Sequence, residues 1–428
     1  MTETSTTPRI RPGTAPTAGL RGAHWDPSRL PVGHHVSTQV GMAADGVPAT
    51  GLLYARGGEK TAVLAMHPRE FLATHYLVPE VLRAGAAIFL QMPRAIGNDL
   101  RLEHETTVFE VGAGVGLLRG LGYEKIVLLG NSGGAPVMAL YIQQSLAAPG
   151  QRLETTASGR PVALNAASLP TVDGLLLVSA HEGPGLLLQD CIDGSLTDEH
   201  DPFSIDRSLS PFEAKNGFHR PPESASYTPA FIERYRAAQK ARVARIDAQA
   251  RAMIEERVAA RRQAKDAPSP ALLASAAHQQ VIQVWRTDAD PRCFDLNLDP
   301  SDRAYGSVWG ANPVASNFGT VGFARLCTPE SWLSTWSANS CVASLPRCAP
   351  AIEQPTLLVE YTGDNAVFPE TAKRVMGLIG AGDKTHVRIP GNHHGASLGR
   401  DYPDGRDGAG RSIAQWLQER FPVAQGVI

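Results

Sequence analysis

The sequence predicts an α/β protein built on a doubly wound, mostly parallel sheet, into which a large, mainly helical segment is inserted. Three observations carry this reading. Short apolar runs alternate with helix-like patterns from residue 61 to 180, the rhythm of strands joined by crossover helices. The alternation breaks between about 184 and 350 and resumes at Gln354. Between one apolar run and one helix pattern stands the tight turn Gly130-Asn131-Ser132-Gly133-Gly134. At 428 residues the chain exceeds what one hydrophobic core usually supports, which agrees with an inserted unit. The expected organisation is therefore a flexible N-terminal tail over 1–25, a first core part over 26–183, an insertion over 184–350 and a second core part over 351–428.

Each element has its own signal. Residues 36–46 and 51–55 read as a leading antiparallel hairpin around Asp45-Gly46-Val47-Pro48. A strand at 61–66 precedes a helix near 74–84, and a strand at 87–91 precedes a helix near 105–121. The apolar run Lys125-Ile126-Val127-Leu128-Leu129 leads into the glycine-serine turn, and a helix follows over 135–145. After a polar excursion at 149–170 comes a strand at 174–180. The insertion holds one long helical pattern, from 229 to about 265. Its apolar stripe is sparse, and Arg and Lys are interleaved with Glu233, Asp247, Glu255 and Glu256, which predicts a solvated helix laced with salt bridges. A strand at 354–361, a helix at 370–379 and a strand at 386–390 complete the pattern.

Composition excludes several classes. With 40 Lys and Arg against 42 Asp and Glu, the net charge of −2 offers no basis for binding nucleic acid or an anionic membrane. No stretch approaches eighteen uninterrupted apolar residues, so no transmembrane helix is expected. The tail lacks the apolar segment of a secretory signal. Five cysteines without C-x-x-C spacing argue against zinc and for a reduced, cytoplasmic setting. A Cys341–Cys348 bridge is the one pairing their shared loop-like stretch leaves open. Gly112-Ala113-Gly114-Val115-Gly116 lies inside a helix pattern with no strand before it, so it reads as close helix packing rather than a nucleotide loop. Arg94, Asn98, Asp99, Glu103 and His104, after the strand at 87–91, read as surface-loop polar residues.

The chemistry gathers at the strand ends. A serine between glycines on a strand-to-helix turn projects its hydroxyl alone, and the following helix aims unpaired N–H groups back at it, which suits an oxyanion. A nucleophile needs a base, and the base an orienting acid. Asp364 leaves the end of the strand at 354–361, and His393 and His394 close the strand at 386–390. In an open parallel sheet these ends share the ligand-binding edge, and the order Ser, Asp, His is the one the α/β-hydrolase fold uses.

The chain thus resembles an α/β-hydrolase, through residues 130–134, Gly363-Asp364 and Pro390-Gly391-Asn392-His393-His394. His67-Pro68-Arg69, after the strand at 61–66, is similar to the family's His-Gly-x turn, although Pro68 stands where glycine is usual. The resemblance implies the α/β-hydrolase fold with a cap over the catalytic edge. It implies Ser132 as nucleophile and Asp364 as acid. It also implies His394 rather than His393 as base, because the family commonly shows Pro-Gly-x-x-His. The backbone N–H groups of Gly133 and Arg69 are implied as oxyanion donors. No cofactor and no metal are called for. The implied activity is hydrolysis of a small-molecule carboxylic ester or lactone through an acyl-enzyme. Trp285, Trp309, Trp332 and Trp336, in the second half of the insertion, suit either a pocket wall for a hydrophobic substrate group or a small cap core. The same triad also serves acyl transfer, amide cleavage or carbon–carbon cleavage, and a catalytically silent binding protein is the reading from a different class.

Overall fold

The computed structural model of the chain describes residues 26–96, 99–320 and 322–424. The tail expected over 1–25, and Asn98, lie outside them. One eight-stranded sheet organises the molecule, in the order β1-β2-β4-β3-β5-β6-β7-β8. Its strands are β1 (His35–Met42), β2 (Pro48–Ala55), β3 (Thr61–Ala65), β4 (Ala87–Met92), β5 (Lys125–Asn131), β6 (Gly174–Val178), β7 (Thr356–Tyr361) and β8 (Lys384–Ile389). β2 runs antiparallel to both β1 and β4, and every other pairing is parallel.

The central strands are mostly apolar because both faces are covered. In β3, Ala62 and Leu64 face one layer, with Val108, Val111 and Val115 of α2 (His104–Gly120) and Val137 of α3 (Gly134–Leu146). Val63 and Ala65 face the other, with Val81 and Leu82 of α1 (Val78–Arg83) and Ile413, Trp416 and Leu417 of the C-terminal helix at Gly405–Arg420. Each of these buried Val, Leu and Ile side chains contributes about 1.5–3 kcal/mol relative to exposure. α2 comes very close to the sheet: a Cβ on Gly114 would lie 2.7 Å from Leu64 Cδ1 and closer still to Gln91 Oε1. Close packing is thus the reason for Gly114 and, through Leu169 Cδ2 at 3.1 Å, for Gly112, whereas a Cβ on Gly116 would meet nothing within 4 Å. The helix expected from 74 begins only at Val78, because Pro79 belongs in a first turn and the Leu77 N–H is already donated to His75 Nδ1 at 3.2 Å.

Between β6 and β7 the described chain contributes helices and isolated bridges but no strand of the sheet. The helices are α4 (Pro184–Cys191), α5 (Pro229–Asp266), α6 (Pro270–Ala277), α7 (Pro313–Phe318), α8 (Pro329–Ser331) and α9 (Leu345–Cys348); a π-helical turn, Trp332–Trp336, follows α8 directly. α10 (Pro369–Leu378) and α11 (Gly405–Arg420) follow in the returning core. The topology is that of the α/β-hydrolase fold with a helical insertion. The insertion packs around its own apolar cluster, in which Val243 and Ile246 of α5 meet Trp332 and Trp336.

α5 begins on Thr228, whose side chain accepts the Phe231 N–H, with Pro229 in the first turn. Its arginines do form ion pairs, but mainly with carboxylates elsewhere in the insertion: Arg242 and Arg245 with Glu199 at 2.8 and 2.7 Å, Arg236 with Asp290 at 2.8 Å, and Arg257 with Glu330. Arg242 is completely buried, so part of the face expected to be solvated is an internal seam instead. Asp247 is buried too, accepting from Trp332 Nε1 at 2.7 Å, Asn339 Nδ2 at 2.8 Å and Ser337 Oγ at 3.0 Å. All five cysteines are free thiols, Cys341 and Cys348 included. Among the described residues, no helix is long and apolar enough to cross a membrane.

Candidate active site

The turn from β5 into α3 is as sharp as its glycines require. Ser132 takes φ +51°, a left-handed conformation that few non-glycine residues adopt without a constraining context. That context is close contact on every side. The Ser132 N–H donates to Val178 O at 3.0 Å. A Cβ on Gly130 would lie 2.5 Å from Ala135 Cα, and one on Gly134 would lie 2.6 Å from Met66 O. Behind the turn, Asn131 donates through Nδ2 to Val178 O at 3.0 Å, and its Oδ1 meets His75 Nε2 at 3.3 Å.

The loops after β7 and β8 bring their side chains to this hydroxyl. His393 Nε2 is 3.0 Å from Ser132 Oγ. On the other side of the ring, Nδ1 lies 2.9 and 2.8 Å from the two carboxylate oxygens of Asp364. Asp364 is 2% exposed, and its Oδ1 also accepts the backbone N–H groups of Ala366 at 2.8 Å and Val367 at 3.0 Å. Burial pushes the Asp364 pKa up, but the neighbouring His393 and these hydrogen bonds outweigh it and hold the carboxyl below its ordinary value. For His393 burial acts downward, and the Asp364 charge and hydrogen bond more than offset it, so its pKa lies above the usual 6.5.

The histidine expectation therefore needs correcting: the ring between Asp364 and Ser132 is that of His393, not His394. The turn chemistry explains why. The Asn392 side chain accepts the N–H groups of both His394 and Ala396 at 3.0 Å, which curls the loop just after position 392. His393 is thereby turned into the interior at 7% exposure, and Ser179 Oγ donates to its carbonyl at 2.9 Å. Ser179, just past β6, is itself held at φ +46°. His394 lies outside this line, its ring edge toward Tyr76 with centroids 6.3 Å apart.

Arg69 also departs from expectation. Its backbone N–H donates to His67 Nδ1 at 3.2 Å and so closes the turn on itself. Its side chain stacks over Trp336, 4.8 Å from the ring centroid. Gly133 opens α3, and its backbone faces the cavity beside Ser132.

That cavity, about 370 Å³, lies between the sheet edge and the insertion, with Ser132, Gly133 and His393 in its wall. The insertion supplies an aromatic side through Trp309, Phe323 and Trp336, with successive ring centroids 5.4 and 5.7 Å apart. Of the four tryptophans considered for this role, Trp309 and Trp336 line the cavity. Trp332 is core, and Trp285 stacks under Arg325 at 4.5 Å.

Three further histidines line it: His67, His104 and His181. Burial above all pushes each of their pKa values down to about 3, so the rings are neutral at neutral pH. Gly183 donates its N–H to His181 Nδ1 at 3.2 Å, which leaves the proton of that ring on Nε2. His104 is fully buried at the start of α2, and among the described residues neither ring nitrogen has a hydrogen-bond partner. It was expected to be a surface-loop residue, and only its place beside the strand end hinted otherwise. Its neighbours fit the surface reading better: Arg94 pairs with Asp45 at 2.6 Å, and Glu103 pairs with Arg160. Among the described residues, no group of three or more His, Cys, Asp or Glu side chains is arranged to hold a metal ion.

No known family model matches the chain, and no curated protein sequence matches it. Several solved structures are similar in shape. One is DcsB in complex with its substrate analogue, at 12% identity and TM-score 0.47 over 90% of this chain and 100% of that one. Another is the esterase domain of a Rhodothermus marinus protein, at 10% identity and TM-score 0.41 over 90% and 98% of the two chains. A third is a monoacylglycerol lipase of Paleococcus ferrophilus, at 14% identity and TM-score 0.37 over 90% and 99%. With such scores and identities, the functional reading rests on the geometry of the site alone.

Proposed function

We propose that the chain is a serine hydrolase that cleaves a small-molecule carboxylic ester or lactone through an acyl-enzyme. The observation that carries the reading is the unbroken hydrogen-bonded line from Asp364 through His393 to Ser132, at the floor of a cavity large enough for a substrate. In this reading Ser132 Oγ attacks the carbonyl carbon as His393 Nε2 takes its proton. The carbonyl π pair moves onto oxygen, where the N–H of Gly133 meets it. The pair then returns, the bond to the leaving alkoxide breaks, and His393 supplies the proton that alkoxide needs. Water repeats the sequence to release the acid. Asp364 holds the proton of the neutral ring on Nδ1 and stabilises the imidazolium that forms. The aromatic side formed by Trp309, Phe323 and Trp336 suits a hydrophobic part of the substrate.

The test is turnover of p-nitrophenyl acetate and butyrate, paired with mass analysis after exposure to a serine-directed phosphonate. Turnover, with one adduct located on Ser132, is the expected result. A folded chain with neither turnover nor adduct overturns the reading.

The pH dependence follows from the direction of one pKa. His393 accepts a proton only when neutral, and its pKa lies above 6.5. The value of kcat/KM should therefore rise with pH through a single protonic step whose midpoint lies above 6.5, and be lost as pH falls below it. The neutral rings of His67, His104 and His181 add no step near neutrality. A midpoint below 6.5 would count against His393 as the base.

A further inference from the structure

The turn after β3 offers the site one more hydrogen-bond donor. The His67 ring lies where that turn meets the elbow, and its Nδ1 accepts the backbone N–H of Arg69 at 3.2 Å. A nitrogen that accepts carries no proton, so the neutral ring is the Nε2–H tautomer. Burial, together with the charges of Arg69 and His393, pushes the pKa down to about 3 and keeps the ring neutral. The Nε2 edge lies against the elbow: a Cβ on Gly133 would sit only 2.6 Å from His67 Nε2. His67, Ser132, Gly133 and His393 line the same cavity. Among the described residues, no protein acceptor takes the Nε2 proton. Pro68 has no N–H to offer, and the N–H of Arg69 is occupied by the ring itself.

We infer that the Nε2–H of His67 is a side-chain donor of the oxyanion hole, acting with the backbone N–H of Gly133 in the position expected of the N–H of Arg69. The inference rests on the serine-hydrolase reading. His67 transfers no proton. As the bond from Ser132 Oγ to the carbonyl carbon forms, the serine proton goes to His393 and the π pair goes to the carbonyl oxygen. His67 donates a hydrogen bond to that oxygen, which is released when the pair returns and the leaving group departs. A neutral donor suits this place, because a cation here would oppose the imidazolium forming on His393.

Two variants separate the ring's two edges. His67→Asn keeps an acceptor near Nδ1 for the Arg69 N–H but removes the outer donor, and His67→Gln places an amide N–H near the Nε2 position. With p-nitrophenyl butyrate, His67→Asn should lower kcat by about 10²–10³-fold, the usual loss for one oxyanion donor, with little change in KM. The midpoint of its pH profile should stay at the wild-type value, affinity for a trifluoromethyl ketone should fall with kcat/KM, and His67→Gln should recover part of the loss. A folded His67→Asn with wild-type kcat, a loss confined to KM, or a displaced pH midpoint overturns the inference. A measurement on the wild-type chain holds even if the variants do not fold. Binding of the trifluoromethyl ketone should move the His67 Nε2–H proton resonance downfield, and an unmoved resonance overturns the proposal. If the wild-type chain forms no phosphonate adduct on Ser132, the serine-hydrolase reading itself has failed. An adduct on Ser132 together with an unmoved resonance leaves that reading standing and removes only the role of His67.

Discussion

His393→Ala should lower ester turnover by about 10⁴–10⁶-fold, while His394→Ala should stay near the wild-type rate. The large figure follows from how a hydrogen-bonded triad works: its members act as a unit, and losing the base leaves only binding and oxyanion stabilisation. The ring of His393 is bonded on both sides to members of the line, to Ser132 at 3.0 Å and to Asp364 at 2.8 Å. His394 reaches neither; its backbone N–H is held by Asn392, and its ring packs beside Tyr76. The measurement is steady-state kcat/KM for both variants, with thermal melts to establish folding. Replacement of His393 also removes a buried partner of Asp364, so a lower Tm for that variant is expected and does not touch the argument. A folded His393→Ala that retains its rate, or a His394→Ala that loses it, would reverse the assignment.

That pair of neighbours marks where sequence reasoning reached its limit. The turns bearing Ser132 and Asp364 were legible because each follows a run buried on both faces, the turn bearing the histidines because it closes the short run 386–390 on the edge strand β8, and parallel strands deliver their ends to one edge. Within the last turn, the choice between His393 and His394 depended on which peptide the Asn392 side chain would cap, a matter of loop geometry that spacing does not encode. The same holds at the turn after β3. His67-Pro68-Arg69 was read for its backbone, whereas the ring of His67 consumes the Arg69 N–H and presents Nε2 to the elbow. His104 and His181 were harder still. Neither stands in a motif, and what makes them part of the cavity is the return of the insertion over the sheet edge, where Ser334 Oγ accepts the backbone N–H of His104 at 2.8 Å. The polar helix α11, with apolar residues only on its buried side, carried too weak a pattern to be singled out.

Asp364→Asn should cost about 10⁴-fold in kcat with little loss of structure. The Oδ1 atom of Asp364 accepts the N–H groups of Ala366 at 2.8 Å and Val367 at 3.0 Å, so an asparagine in this place must turn its carbonyl oxygen toward them. Its amide nitrogen then faces His393 Nδ1, where the carboxylate oxygen Oδ2 stood at 2.8 Å. An N–H donor there requires an acceptor, so the imidazole proton shifts from Nδ1 to Nε2. Nε2 can then no longer accept from Ser132, and the line is broken by tautomer rather than by distance. The lost charge has a second consequence. Asp364 is what raises the pKa of His393 against its burial, so any residual activity should rise with pH at a lower midpoint than in the wild-type chain. Asp364→Asn with near-wild-type kcat and an unmoved midpoint would mean that the carboxylate does no more than hold its loop. The expected result ties the tautomer and the charge of His393 to the same buried oxygen atoms.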